Sequence, residues 1–142
     1  MGLLADFIVA TEEEASAYDG DASFPDTHRL ECKGLTELEV GTLYQIVQGQ
    51  EVGGEDDEIP YEGRVIRVVD GGERLTVEVT PGLIRHLASA SDADLDAWSH
   101  AWGRTAEIQC SGDEMLPILR ELRRLSMLAV SESKSVYLWN CV

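Results

Sequence analysis

The sequence predicts an α+β fold in which helices pack against a sheet. Short apolar runs with the length of buried strands lie near both ends of the chain, and segments with helical periodicity lie between them. A Gly-Gly pair between two β-branched segments adds one β-hairpin. With 142 residues, 44% of them hydrophobic, the chain can bury a core without disulfides or a structural metal. We therefore expect a single domain, residues 1–142, with a mixed sheet whose terminal strands are central.

In the first third of the chain, two predicted strands are each followed by a helix. The strands span residues 5–10 and 28–33. Each helix opens on a capping box, in which a threonine is followed three residues later by a glutamate: Thr11 with Glu14, and Thr36 with Glu39. Four apolar side chains of the second helix are expected to face the core: Leu38, Leu43, Ile46 and Val47.

An acidic loop and the β-hairpin are predicted for the middle of the chain. Residues 50–63 carry six carboxylates among glycines and a proline, with no periodicity. Residues 64–69 and 74–79 then form two strands. Gly71 and Gly72 between them predict a two-residue type I′ turn, because both positions of that turn need a positive φ.

The remainder of the chain predicts three helices and a final strand. The first two helices start at Thr80, which precedes a proline, and at the capping box of Ser91 and Asp94. A long amphipathic helix covers residues 113–130. Residues 136–142 are apolar on both faces, which is typical of a strand inside a sheet that is covered on both sides.

The charge of the chain restricts its partners. Twenty-seven acidic and 11 basic residues give a formal net charge of −16. Nucleic acids and anionic membranes bind clustered lysine and arginine, so the composition argues against both. The same excess of acid favours a basic protein as the partner. Solubility in a salt-rich cytoplasm is an alternative explanation of the charge that needs no partner.

Cysteine use and the N-terminal residues both favour a cytoplasmic protein. Cys32, Cys110 and Cys141 are odd in number, far apart and without CxxC spacing, as expected for reduced thiols. The apolar N-terminus has no basic region before it and meets acidic residues at Glu12, so it is predicted to be a strand and not a signal peptide. No segment has the length of a membrane span.

Sequence motifs for catalysis, metal binding or cofactor binding are absent. The chain has no GxSxG, HExxH, CxxC, P-loop or GxGxxG pattern. His28 with Cys32, and Asp96 with His100, each supply two ligands where a zinc site needs three or four. We therefore predict no catalytic residue, no metal and no cofactor, and we favour a protein that is not an enzyme.

Two candidate sites are predicted, one acidic and one aromatic. The first is the most acidic stretch of the loop, as a docking surface for a basic protein: Glu55, Asp56, Asp57 and Glu58. The second is a pocket for a small molecule near the predicted tryptophan-bearing helix, although tryptophans are more often core residues: Trp98, His100, Trp102, Arg120 and Arg124.

These sites correspond to two classes of function. The acidic surface favours a non-enzymatic binding or accessory protein that recognises a basic protein partner. The pocket favours a small enzyme or small-molecule binder. We favour the first class, because the charge supports it while no catalytic motif supports the second.

Both ends of the chain can be compared with known families. Residues 1–2 and 5–10, followed by the acidic run Glu12–Glu14, open the chain, and the last predicted helix together with residues 134–139 closes it. In these two places the chain resembles a family of small acidic bacterial proteins of unknown function. The resemblance rests on core residues, so it implies no functional site.

Overall fold

The computed structural model describes residues 4–20, 23–49, 63–105 and 112–141. Within these residues, strands and helices follow one another along the chain in this order: β1 Leu4–Ala10, α1 Glu12–Ala17, β2 Arg29–Lys33, α2 Glu37–Val47, β3 Val65–Val69, β4 Arg74–Glu78, α3 Pro81–Ala88, α4 Asp92–Gly103, α5 Gly112–Glu132 and β5 Ser135–Cys141. The α+β class is confirmed. The predicted acidic loop, apart from Gly63, and Cys110 lie outside the described residues.

The sheet is antiparallel throughout, so the prediction of a mixed sheet is wrong. Its strand order is β2-β1-β5-β4-β3, and each neighbouring pair runs antiparallel. The inner position of the two terminal strands and the hairpin at one edge are confirmed. An apolar pattern on both faces is typical of parallel strands, but it reports only that both faces are covered. Here two separate groups of elements cover the two faces of β5.

The larger core lies between the sheet and helices α2 to α5, on what we call the helix face. Helix α5 packs directly on β1 and β5, α3 and α4 pack on α5, and α2 packs on α3 and α4. Phe7 and Leu138 from the sheet meet Leu119, Leu125 and Trp102 from the helices, all with at most 1% of their surface exposed. Burial of these side chains is the main source of stability for the domain.

A smaller core lies on the opposite side of the sheet, which we call the α1 face. Ile8 and Ala10 of β1 point to this face, and Tyr137 and Trp139 of β5 pack beside them. Helix α1 covers them with Ala15, and Tyr18 follows directly after this helix. Successive strand residues thus enter different cores, as the period of two of a β-strand requires.

The predicted capping boxes are confirmed, and one predicted core residue is not. Thr11, Thr36 and Ser91 each cap a helix, and the acidic side chain three residues later binds the cap backbone in return. Leu38 was expected in the core but is 63% exposed, whereas Val40 is buried. Leu38 lies in the first turn of α2, on the side of this helix that faces away from α3 and α4.

The hairpin of β3 and β4 is confirmed, but its predicted two-residue turn is wrong. Val69 pairs with Arg74, which leaves four residues in the turn. Asp70, Gly71 and Gly72 have φ values of 53°, 70° and 107°. The Asp70 carboxylate accepts a hydrogen bond from Arg74 at 2.7 Å. This contact helps Asp70 to adopt a left-handed conformation, which is unfavourable for most residues other than glycine. The turn therefore contains three consecutive residues with positive φ, and the sequence predicted two.

Candidate functional site

The tryptophans predicted to line a pocket are packing residues in the structure. Trp102 is fully buried, and its Nε1–H donates a hydrogen bond to the Glu39 carbonyl at 3.0 Å. Trp98 is half-buried and packs against the same core. Both rings therefore pack α4 against the other helices. The indole N–H of Trp102 already has its hydrogen-bond partner inside the protein.

The other predicted pocket residues lie at the surface. His100 is exposed, and its Nδ1–H donates a hydrogen bond to the Asp96 carbonyl, 2.8 Å away. Arg120 is exposed, and Arg124 donates to Glu121 at 2.7 Å and to the Thr27 carbonyl. The structure does not bring these side chains together with the tryptophans: none of the five lines either of the cavities described next, which are formed by described residues. The acidic candidates Glu55 to Glu58 lie outside the described residues and stay a prediction.

Two cavities lie near Tyr18, and residues of the α1 face line part of each. The first, which we call the aromatic cavity, has a volume of about 460 Å³ and these lining residues: Val9, Glu14, Ala17, Tyr18, Ser23, Phe24, Pro25, His28 and Lys134. The second, which we call the acidic cavity, has a volume of about 510 Å³ and these: Leu4, Asp6, Asp19, Gly20, Glu31, Cys32, Lys33 and Trp139. Both volumes are in the range of ligand pockets.

Tyr18 connects the two cavities through a buried hydrogen bond. Its hydroxyl donates to Asp6 Oδ2 at 2.5 Å. Its ring lines the aromatic cavity and packs edge-on against Phe24 and Trp139, with centroids 5.2 and 5.6 Å away. Burial, together with the bond to Asp6, raises the pKa of Tyr18, so its hydroxyl stays protonated and remains a donor. Tyr18 thereby holds the Asp6 carboxyl group in one orientation.

Three carboxylates border the acidic cavity, and each has a different environment. Asp6 is buried, and this burial raises its pKa, with a further increase from the nearby charge of Glu31. Asp19 forms an ion pair with Arg74. Glu31 is exposed, and its Oε1 lies 3.3 Å from Nη2 of Arg29. Lys33, which is exposed, is the one basic residue in the cavity lining. The lining is therefore predominantly acidic.

Two residues that line this cavity each carry a buried polar atom that lacks a hydrogen-bond partner in the described part of the chain. Trp139 is 5% exposed, and its Nε1–H is buried and unpaired there. The second atom is Asp19 Oδ1, the oxygen that does not contact Arg74. A buried donor or acceptor without a partner costs about 1–3 kcal/mol. Such atoms are therefore unusual in a native structure, and a bound group that pairs with them would recover this energy.

Gly20 allows the chain to pass close to the Trp139 ring. Its φ of +78° is in the left-handed region, and a Cβ at this position would lie 3.1 Å from the Trp139 Cη2 atom. Glycine satisfies both requirements, since it has no side chain and adopts positive φ without strain. This glycine thus keeps Asp19 and the indole ring in the same cavity wall.

Cys32 lines the acidic cavity without being activated. Burial and the Asp6 charge raise the pKa of its thiol to about 11. A thiol with this pKa is protonated at neutral pH and is a poor nucleophile. Within the described residues, no group of three or more His, Cys, Asp or Glu side chains could hold a metal ion. The cavity is therefore suited to binding through charge and hydrogen bonds.

Sequence reasoning missed this site, because its parts look like core. Asp6 is a charged residue inside an apolar strand, which is a signal that could have been used. Tyr18 and Trp139 carry no such signal. Asp6 lies opposite both Trp139 and Glu31 through strand register, and register between distant strands is not visible in a single sequence.

Comparisons with known proteins identify no relative: no protein-family model matches the chain, and no curated protein and no solved structure matches it either. No helix in the described segments has the length and apolar character needed to cross a membrane. The residues of the two cavities are thus the basis for inferring what the protein does.

Proposed function

We propose that this chain is a non-enzymatic binding or accessory protein that recognises a basic protein partner through acidic surface. The observation that carries the proposal is the acidic cavity, where three carboxylates border one recess: Asp6, Asp19 and Glu31. A positively charged group is the electrostatic complement of such a recess. The raised pKa of Cys32 and the absence of a catalytic sequence motif favour binding over chemistry.

The distribution of positive charge supports an external basic partner. Several basic side chains already form ion pairs with carboxylates of the chain itself: Arg29, Arg64, Arg74, Arg123, Arg124 and Lys134. Even if all 11 basic residues paired one to one, the formal charge of −16 would remain on the acidic ones. That charge raises the rate at which a basic protein associates.

The acidic loop and the cavity have different parts in this proposal. Charges on a protein surface steer the encounter of two proteins and contribute little to the final affinity, and this is the part that we assign to Glu55 to Glu58. Partly buried groups that make hydrogen bonds contribute more to the lifetime of the complex. A cytoplasmic location is part of the proposal and fits the free thiol of Cys32.

The test compares two variants with the same change in charge. The first neutralises the loop with Glu55→Gln, Asp56→Asn, Asp57→Asn and Glu58→Gln. The control neutralises four acidic residues elsewhere on the described surface: Glu13→Gln, Glu37→Gln, Glu73→Gln and Asp96→Asn. A basic partner is first captured from cytosol at low salt and purified, and association rates are then measured over a salt series. We expect slower and less salt-dependent association for the loop variant than for the control.

Two results would contradict the proposal. One is that no basic protein is retained at low salt and released at high salt, which would leave solubility as the role of the charge. The other is that the loop variant and the control associate equally fast, which would assign steering to total charge and not to the loop.

The aromatic cavity favours a second candidate function, binding of a small molecule. Its volume of about 460 Å³ suits a ligand of modest size. Tyr18 and Phe24 offer apolar ring surface, and His28 and Lys134 offer polar groups beside it. A thermal-shift screen with small aromatic acids tests this function. Ligands that stabilise the wild type but not Phe24→Ala would support it, and stabilisation of both proteins alike would contradict it.

A further inference from the structure

We infer that the acidic cavity binds an arginine side chain from an extended segment of the basic partner, and that a main-chain carbonyl of this segment accepts a hydrogen bond from Trp139. The inference rests on the proposed function and names the point of contact. It goes beyond the acidic loop, because it assigns the occupant to a recess built by β1, β2, β5 and the residues after α1.

The first step concerns what the cavity lacks. Trp139 offers a buried donor, Nε1–H, and Asp19 offers a buried acceptor, Oδ1; neither has a partner in the chain as described. Both residues line the same cavity. The occupant must therefore supply an acceptor as well as a donor. A bare cation would pair with Asp19 alone, and a simple anion would pair with Trp139 alone.

The second step concerns charge. Three carboxylates border the cavity beside one lysine, so the donor that the occupant supplies should be cationic. A guanidinium group carries five N–H donors in a planar fork and can contact more than one carboxylate. Glu31 at the rim and Asp19 in the wall provide two such acceptors. A peptide that contains arginine thus offers the cationic donor and, on its main chain, the carbonyl acceptor.

The third step concerns preorganisation. Arg74 binds Asp19 on one side and Asp70 on the other, which fixes the Asp19 carboxylate in the wall. Tyr18 holds Asp6 with a 2.5 Å hydrogen bond. A site whose side chains are already held by neighbours loses less conformational entropy on binding. The carboxylates therefore need little rearrangement to receive the side chain, whereas neighbouring atoms must shift to expose Trp139 Nε1 and Asp19 Oδ1, which are buried.

The experiment titrates the full chain with N-acetyl-arginine-N-methylamide, which carries one guanidinium and two carbonyl groups, and measures binding by calorimetry or NMR. The matched control ligand is the citrulline analogue, which has the same shape and no charge. Charged hydrogen bonds contribute enough that we expect the citrulline analogue to bind about tenfold more weakly. Equal affinity of the two ligands would overturn the inference, and so would tighter binding of the lysine analogue.

Three variants then test the named contacts. Trp139→Phe removes the indole donor and keeps an aromatic ring, and Glu31→Gln removes one charge at the rim. Asp96→Asn, an exposed position on α4, is the control for loss of one charge. We expect about tenfold weaker binding for Trp139→Phe and for Glu31→Gln, and unchanged binding for Asp96→Asn. Glu31 is exposed, so its variant keeps the test decisive if Trp139→Phe does not fold. Equal binding by Glu31→Gln and Asp96→Asn would overturn the inference.

The same variants separate this inference from the proposed function. If a purified basic partner binds the wild type, Glu31→Gln and Trp139→Phe equally well, the assignment to the cavity fails while the proposed function stands. If the arginine probe binds with the expected losses but no basic protein is retained from cytosol, the cavity assignment is supported and the proposed function fails.

Discussion

The two faces of the sheet each bury a tryptophan, and they use its polar atom differently. On the helix face, Trp102 is fully buried and its Nε1–H is bonded to the Glu39 carbonyl. On the α1 face, Trp139 is 5% exposed, and its Nε1–H has no partner within the described residues. Burial alone therefore does not distinguish a structural tryptophan from one that can bind a ligand. The difference between the two tryptophans is whether the indole N–H has a hydrogen-bond partner, and the proposed binding site rests on this difference.

The faces also differ in how completely they are packed. Four helices cover the helix face with a continuous apolar core. The α1 face has one short helix, a small aromatic cluster and two cavities. A protein needs one well-packed core for stability, and the second surface of its sheet can then carry polar groups that would be costly elsewhere. We therefore assign the larger share of stability to the helix face and propose binding for the α1 face.

Truncation of each tryptophan should have the largest effect. We expect Trp102→Ala to cost about 3–5 kcal/mol of unfolding free energy, because the large core around it cannot close the cavity. Trp139→Ala should cost less than Trp102→Ala, since the smaller cluster beside it can collapse into the adjacent recess. Urea denaturation followed by circular dichroism measures both. A larger loss for Trp139→Ala would show that the α1 face contributes more to stability than the helix face.

Substitution of Gly20 should have the next largest effect. Gly20→Ala adds a Cβ at positive φ and 3.1 Å from the Trp139 ring, and we expect a loss of about 1–3 kcal/mol. Gly49→Ala is the matched control, because Gly49 has a φ of +76° and, among the described residues, no atom lies within 4 Å of such a Cβ. The difference between the two denaturation midpoints isolates contact with the indole. Equal losses would mean that Gly20 is needed for its φ alone.

Replacing each tryptophan by phenylalanine should separate the two donors. The loss of ring volume is the same, but only Trp102→Phe breaks a hydrogen bond that the structure describes. We therefore expect Trp102→Phe to cost about 1 kcal/mol more than Trp139→Phe in unfolding free energy. If Trp139→Phe costs as much or more, the Trp139 donor has a partner inside the protein.

The pH dependence of stability should reveal Asp6. Burial raises the pKa of Asp6 in the folded state above its ordinary value of 3.8, so the folded state binds its proton more tightly than the unfolded state. The contribution of Asp6 is therefore fully present below the ordinary pKa and is lost as pH rises through the folded-state pKa. We expect Asp6→Asn to remove this loss. The measurement is the difference in unfolding free energy between the variant and the wild type at a series of pH values. Parallel pH profiles would contradict the assignment.

The sequence predicted the framework of the fold better than the site. Thr11, Thr36 and Ser91 cap helices as expected, because a capping box is a local pattern that few contacts override. The inner position of β1 and β5 was also predicted from their apolar runs. Strand direction and the exposure of Leu38 were not, since both depend on how elements dock in space. The acidic cavity could not be predicted for the same reason: Asp6, Asp19 and Trp139 are joined only by strand register and by the turn at Gly20.

The most direct test of this account follows the indole N–H groups of the three tryptophans by two-dimensional NMR on ¹⁵N-labelled protein. Assigned with Phe variants, the Trp102 signal should stay fixed when N-acetyl-arginine-N-methylamide is added. The Trp139 signal should shift with saturation and should not respond to the citrulline analogue. A Trp139 signal that stays fixed while the probe binds, or that shifts equally with both compounds, would contradict the claim that its unpaired donor marks a binding site.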